Sequence, residues 1–300
     1  MSVVAVLISL LEPEARAQDI ELYPAADHRL TLKLSADTDQ WFRIERSENL
    51  LDWRLEISPL FGDSSVETWT EGMAQAFFRA VPIPAIPPPY IVGVVGDSTA
   101  SGVIHGEEVV SGGWAEGLRS HTHPDTRILN AGQPGLSSRS FLYGRKDRLA
   151  LLQRTEPAFV LVQFGQIDEF SNPEESKFTH LEEYRDNLRE IVRIIREWGG
   201  VPILVTPLPW RVFNKDGSLS STLRDRSEIV LEVARAAGAF SIDLHQILAL
   251  HYQSIDSAEL RAMSAVDQYH LSEEGAIIGA RLLVDALPIH LRTHLFTTVE

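Results

Sequence analysis

A serine hydroxyl is a weak nucleophile until a neighbouring imidazole takes its proton, and that imidazole needs an acceptor on its second ring nitrogen to fix its tautomer. Two short stretches of this chain carry those residue types. Gly96-Asp97-Ser98-Thr99 follows directly on the apolar run Tyr90-Ile91-Val92-Gly93-Val94-Val95, and Asp267-Gln268-Tyr269-His270 stands just before the last amphipathic stretch. The pair is expected to act as nucleophile (Ser98), base (His270) and orienting carboxylate (Asp267). Taken alone, Asp-Ser-Thr also reads as a helix start, because such side chains accept from the free N–H groups of a first turn. A serine placed there by a strand has its own N–H at the helix N-terminus, where it can face a developing oxyanion.

To bring residues so far apart in the chain together, the fold must return to one edge of one sheet. Short apolar runs at 90–95, 127–130, 159–164, 201–206 and 240–243 read as buried strands. Helical patterns at 113–120, 181–198, 222–237 and 272–287 alternate with them, and Ser272 is a plausible N-cap for the last. Strands alternating with helices imply a parallel sheet covered on both faces, an α/β/α sandwich whose ligands lie at the carboxyl ends of the strands. Residues 18–82 have a different texture. Leu30-Thr31-Leu32-Lys33-Leu34 and Trp41-Phe42-Arg43-Ile44-Glu45-Arg46 alternate with period two, as half-buried strands do. This predicts a small all-β, sandwich-like module in which Trp41, Trp53 and Trp69 serve as core or, alternatively, as sugar-binding platforms. The proline-rich stretch 83–89 reads as a stiff linker, with the α/β domain spanning 90–290.

The chemistry-bearing stretches resemble the GDSL, or SGNH, hydrolases and, within them, the rhamnogalacturonan acetylesterase-like branch. Gly96-Asp97-Ser98-Thr99 matches the first block, Gly113-Trp114 follows as in that branch, and Asp267 with His270 matches the last. The second block is Asn130-Ala131-Gly132-Gln133-Pro134-Gly135-Leu136-Ser137-Ser138-Arg139-Ser140-Phe141. The resemblance implies a flavodoxin-like fold, a Ser-His-Asp triad and removal of acetyl groups from plant-type polysaccharides such as pectin or xylan, with no metal or organic cofactor. It assigns oxyanion-binding N–H groups to Ser98 and Gly135, with Gly132 as the alternative. The third block departs from the family. Where the family has Gly-x-Asn-Asp, this chain has Gly165-Gln166-Ile167-Asp168, so Ile167 replaces the asparagine that donates to the oxyanion. Losing one such donor costs about a hundred- to a thousand-fold in turnover. The amide of Gln166 lies one position away, but on an extended segment neighbouring side chains point to opposite sides. Three readings follow: a carbohydrate O-acetylesterase, another short-chain or lipid esterase or acyltransferase using the same triad, or a carbohydrate-binding protein that has lost catalysis.

Composition narrows the partners. A formal charge of −15, from 42 acidic against 27 basic residues, disfavours nucleic acid and anionic membrane surfaces. Without cysteine there is no disulfide or thiolate chemistry, and no apolar run is long enough to span a bilayer. Residues 1–17 read as an export leader, with Val3–Leu11 as its apolar core and Ala15-Arg16-Ala17 as the cleavage pattern, giving a secreted or periplasmic protein. The alternative is a buried N-terminal strand. His121-Thr122-His123 with Asp125 lacks further ligands at metal-site spacing and is expected to be a solvated loop, while Gly112-Gly113 is expected to be turn material. Trp210, after a strand end, is suited to stacking on a sugar or to packing.

Overall fold

The computed structural model describes residues 4–7, 17–24, 29–36, 41–61, 64–69, 75–105, 108–170, 177–219, 223–265 and 267–297. The chain divides into two compact units. One comprises Met1–Pro87, Ala237–Ala239 and Pro288–His290, the other Pro88–Ala236, Phe240–Leu287 and Leu291–Glu300.

The first unit is built from β1 (Val4–Leu7), β2 (Ala17–Pro24), β3 (Arg29–Ala36), β4 (Trp41–Ser47), β5 (Arg54–Phe61), β6 (Ser64–Trp69) and β7 (Gln75–Ile83). They form two sheets, ordered β1-β7-β4-β5 and β2-β3-β6, antiparallel except for the parallel pair β1–β7. In β3, Leu32 and Leu34 are buried with the expected period of two. In β4 the alternation fails: Trp41, Phe42, Ile44, Glu45 and Ser47 are all buried. The register against β5 slips on either side of Ile44, and such irregularities re-aim side chains. Burial pushes the Glu45 carboxyl up, but hydrogen bonds from Arg43 and Arg79, 2.7 Å each, outweigh it and hold the group below its ordinary value. Trp41 is core, whereas Trp53 is half-buried with the Arg79 guanidinium 4.2 Å from its ring centroid. The Trp69 side chain lies outside the described residues. The stretch expected to be a leader supplies β1, and Ala17 opens β2; Ala15 and Arg16 lie outside the described residues.

In the second unit the strands are β8 (Tyr90–Gly96), β9 (Val103–His105), β10 (Glu108–Ser111), β11 (Thr126–Asn130), β12 (Phe159–Gln163), β13 (Val201–Val205) and β14 (Phe240–Ile242). A five-stranded parallel sheet runs β11-β8-β12-β13-β14. Numbered from β8, that order is two-one-three-four-five, the flavodoxin-like winding. Every residue of β12 and β13 is buried, as expected for strands covered on both faces. Around the sheet lie α1 (Ser98–Ser101), α2 (Trp114–Gly117), α3 (Lys146–Thr155), α4 (Gln166–Phe170), α5 (Leu181–Glu197), α6 (Arg224–Ala237), α7 (Leu244–Ser254), α8 (Ser257–Ala262), α9 (Glu273–Asp285) and α10 (Ile289–Leu295). The α/β/α architecture is therefore that expected from the alternating pattern. In α5, Leu188, Ile191, Val192 and Ile195 make the buried stripe, while Arg185, Arg189 and Arg193 pair with acidic neighbours one turn away on the outer face. Ser272 caps α9, its hydroxyl accepting the Gly275 N–H at 3.0 Å.

Candidate active site

Gly96–Thr99 begins a helix, as one of its two readings expected. Asp97 caps α1 by accepting the Thr99 N–H at 2.9 Å, and this leaves Ser98 as the first helical residue at the carboxyl end of β8. The Ser98 hydroxyl lies 2.8 Å from Nε2 of His270, and Nδ1 of His270 lies 2.7 Å from Oδ2 of Asp267. The other Asp267 oxygen accepts the N–H groups of Tyr269 and His270, both at 2.7 Å. Burial pushes the Asp267 carboxyl up, yet the bonds from His270 and Tyr269 outweigh it and hold the group below its usual range. It therefore stays ionised, able to fix the imidazole and to stabilise it when charged.

A buried polar chain underpins Ser98. The Thr99 hydroxyl donates to Oδ1 of Asp97 at 2.8 Å and accepts from the Gln163 amide at 2.9 Å, while the Trp114 indole N–H donates to Gln163 at 2.6 Å. That explains why a Gly-Trp pair belongs with the first block: the indole braces the strand end that carries the serine. Oδ2 of Asp97 has no partner. Burial above all, with repulsion from Asp168, pushes the Asp97 carboxyl up to about 6 against the bonds from Thr99 and the attraction of His270.

Gly135 sits in a turn with φ +73°, the left-handed region that suits glycine. The Gly132 N–H donates to the Asn130 side chain at 3.2 Å, so Gly132 is already engaged. Three residues beyond Gly135, the Ser138 N–H and hydroxyl donate to the buried carboxylate of Asp168, at 3.1 and 2.5 Å, and Asn187 of α5 donates to the same hydroxyl at 3.1 Å. Asp168 thus ties the third block to the second.

The third block itself corrects the expectation of an extended segment, because Gln166 opens the short helix α4. Its amide is engaged on both sides: it donates to the Leu208 carbonyl at 2.7 Å and accepts the Trp210 indole N–H at 2.5 Å. Gln166 thereby holds the loop after β13, and Trp210 meets Tyr269 edge-on with ring centroids 4.9 Å apart. Ile167 offers no donor.

Sequence reasoning missed two side chains. Arg211, 5% exposed, donates to the His270 carbonyl, to the Ser264 hydroxyl at 2.8 Å and to the Tyr252 hydroxyl at 3.3 Å, while its own N–H bonds the Gln268 carbonyl at 3.0 Å. It clamps the loop that carries Asp267 and His270. No local pattern marks such a residue, since its partners are distant in sequence. The exposed Lys177 carries its Nζ within 3.2 Å of the point where a Cβ on Gly135 would lie. A lone lysine in a polar stretch gives no signal of that kind either.

The expectation for His121 needs correction. It is 6% exposed rather than solvated, and its Nε2 has no partner, while His123 is half-buried and Asp125 exposed. Among the described residues, no three His, Asp or Glu side chains converge to hold a metal ion. Gly112-Gly113 is likewise no loose turn. Gly112 is buried and bridges Leu271, and a Cβ on it would fall 2.5 Å from the Ser272 carbonyl oxygen.

With Ser98 and His270 in contact at the sheet edge, comparison with known proteins becomes decisive. The profile of the GDSL-like lipase/acylhydrolase family matches residues 94–276. The chain belongs to this family. Membership places the GDSL-like unit among the carboxylic ester hydrolases. The probable rhamnogalacturonan acetylesterase YesY of Bacillus subtilis (strain 168) is 32% identical over 117 residues, 38% of this chain and 52% of YesY. The chain thus spans about half the length of that relative. The rhamnogalacturonan acetylesterase RhgT of the same strain is 24% identical over 224 residues, covering 69% of this chain and 94% of RhgT. Among solved structures, the Bacillus subtilis protein YXIM matches with a TM-score of 0.58 at 17% identity, covering 89% of this chain and 87% of YXIM. The acetylxylan esterase Axe2 of Geobacillus stearothermophilus, in its S15A form, matches with a TM-score of 0.52 at 21% identity, over 67% of this chain and 95% of Axe2. At these identities the two structures speak for the GDSL-like fold alone.

Proposed function

We propose that the protein is a carbohydrate O-acetylesterase in which Ser98, His270 and Asp267 form the catalytic triad. The observation that carries this reading is the continuous hydrogen-bonded line from the Ser98 hydroxyl through His270 to Asp267. Ser98 Oγ attacks the acetyl carbonyl carbon as Nε2 of His270 takes its proton. The negative charge on the carbonyl oxygen is met by the N–H groups of Ser98 and Gly135. Collapse breaks the ester C–O bond, and His270 returns the proton to the departing sugar oxygen. Water, deprotonated by the same imidazole, then attacks the acetyl-serine and releases acetate and free Ser98. The rhamnogalacturonan acetylesterase names of RhgT and YesY support an acetylated polysaccharide as substrate.

A small chromogenic acetate ester tests the chemistry. Hydrolysis should vanish in Ser98→Ala, and a phosphonate should label Ser98 stoichiometrically. Absence of Ser98-dependent turnover and of labelling would overturn the reading. Acetylated pectin, xylan and glucomannan assayed side by side then identify the polymer by acetate release.

Export belongs to the same proposal. No helix among the described residues is long and apolar enough to cross a membrane, and the apolar run with Ala15-Arg16-Ala17 supports a cleaved leader. Intact mass of the natively produced protein should give a chain beginning at Gln18 outside the cytoplasm. A cell-retained chain still carrying β1 would refute export.

A further inference from the structure

The GDSL-like unit holds a concave site apart from Ser98. A cavity of about 300 Å³ is lined by Ser101, Ser111, Glu116, Glu273, Ala276 and Ile277, with the backbone of the intervening glycines as its floor. Neither Ser98 nor His270, Asp267 or Gly135 lines it. Its most telling group is Ser111, which is 3% exposed and whose hydroxyl has no hydrogen-bond partner. Buried hydroxyls are almost always satisfied, and one left open on a cavity wall marks a place where a ligand or solvent atom supplies the bond. The rim brings the opposite character: Ile277, 47% exposed, offers an apolar edge beside Ala276.

We infer that this cavity is an accessory subsite for one neutral pyranose ring of the polysaccharide chain, an inference that rests on the carbohydrate-esterase reading of the triad. Two serine hydroxyls can exchange hydrogen bonds with sugar hydroxyls and the exposed Glu273 carboxylate can accept them, beside Glu116, whose oxygens take bonds from Arg119 and Asn130, while Ala276 and Ile277 meet the C–H face of the ring. No lysine or arginine lines the cavity, and the Glu273 carboxylate on its rim disfavours a uronate or an acetate ion, Glu116 being paired with Arg119 outside it. A cavity of that size has room for a single sugar ring. Its floor is also the backbone that holds the reacting groups. The Gly102 N–H donates to the Ser98 carbonyl at 2.9 Å and the Gly112 N–H to the Leu271 carbonyl at 2.8 Å. A ring bound here would therefore anchor the polymer close to the reactive edge without touching the triad.

The test uses full-length protein whose Ser98 has been blocked by a phosphonate, so that the catalytic crevice is filled. Methyl β-xyloside, methyl α-rhamnoside and methyl β-galactoside are titrated by ligand-observed NMR. At least one should bind saturably, and galacturonate should not. Ile277→Arg, on the exposed rim, and Glu273→Gln should each weaken binding about tenfold or more. Both should leave kcat on the small chromogenic acetate unchanged and raise KM on the acetylated polymer. Absence of binding by all three glycosides, or binding that neither substitution alters, overturns the subsite. Loss of chromogenic hydrolysis in the unmodified protein would instead count against the esterase reading itself.

Discussion

Ile167 stands where the family's third block carries an asparagine, and the neighbouring Gln166 amide is held between Leu208 and Trp210. On the proposed mechanism the oxyanion is left with the backbone donors of Ser98 and Gly135, and restoring the third should matter. Ile167→Asn is expected to raise kcat on a chromogenic acetate by about tenfold or more, since one donor is typically worth ~10²–10³ in turnover. An unchanged kcat would show that another group already supplies that charge. Lys177 is the group to examine, because its ammonium approaches Gly135. Lys177→Met should lower kcat by about three- to tenfold with little change in the melting temperature, the signature of a charge acting on the transition state rather than on the fold. That Ser98, Asp267 and His270 come together was legible from residue types and order alone, as all three sit in short stretches with local meaning. The occupied amide of Gln166 was not. Its partners are 42 and 44 residues away, and only the fold shows that the segment is helical.

At the level of elements, each reacting residue depends on a brace that comes from elsewhere in the chain. Arg211 after β13 holds the loop before α9 through three hydrogen bonds, counting its own N–H to Gln268; it also donates to the Tyr252 hydroxyl of α7 and lies 5.6 Å from that ring's centroid. Arg211→Met should therefore cost about 2–3 kcal/mol in urea denaturation, in keeping with ~1.5–3 kcal/mol for a hydrogen bond from a charged donor. It should also cut kcat more than it raises KM, because His270 loses its position rather than the substrate its contacts. Arg211→Lys should recover only part of both, since an ammonium lacks the planar fork. The same scale shows why some elements escaped the sequence. The strands and α5, α6 and α9 carry strong apolar periodicity, but α3 buries only Leu152 and α8 buries nothing. For α8 the signal was present in another form: Asp256 and Glu259 make a reciprocal capping box. The alternation predicted for β4 failed for the opposite reason, since a register slip cannot be read from one strand without its partner.

Across the whole molecule, the buried carboxylates set how stability responds to acid. Asp97 has a folded-state pKa of about 6 against an ordinary value of 3.8, so the folded chain holds this proton more tightly than the unfolded chain does. Its contribution is most favourable below pH 4 and is lost as the pH rises towards 6. Asp97→Asn keeps the cap on α1 but removes the titration. The urea midpoint of the variant, relative to the parent protein, should climb between pH 4 and 6.5 and then level off. A difference independent of pH would show that Asp97 does not titrate in this range. The distance along the chain between Ser98 and His270, 172 residues, has a consequence for how the protein is made. A ribosome exposes Ser98 well before His270, which follows 172 residues later. On the proposed triad, a nascent chain that has passed Ser98 but not yet reached His270 carries a serine with no base beside it, and stays chemically silent until the segment before α9 has folded back onto α1.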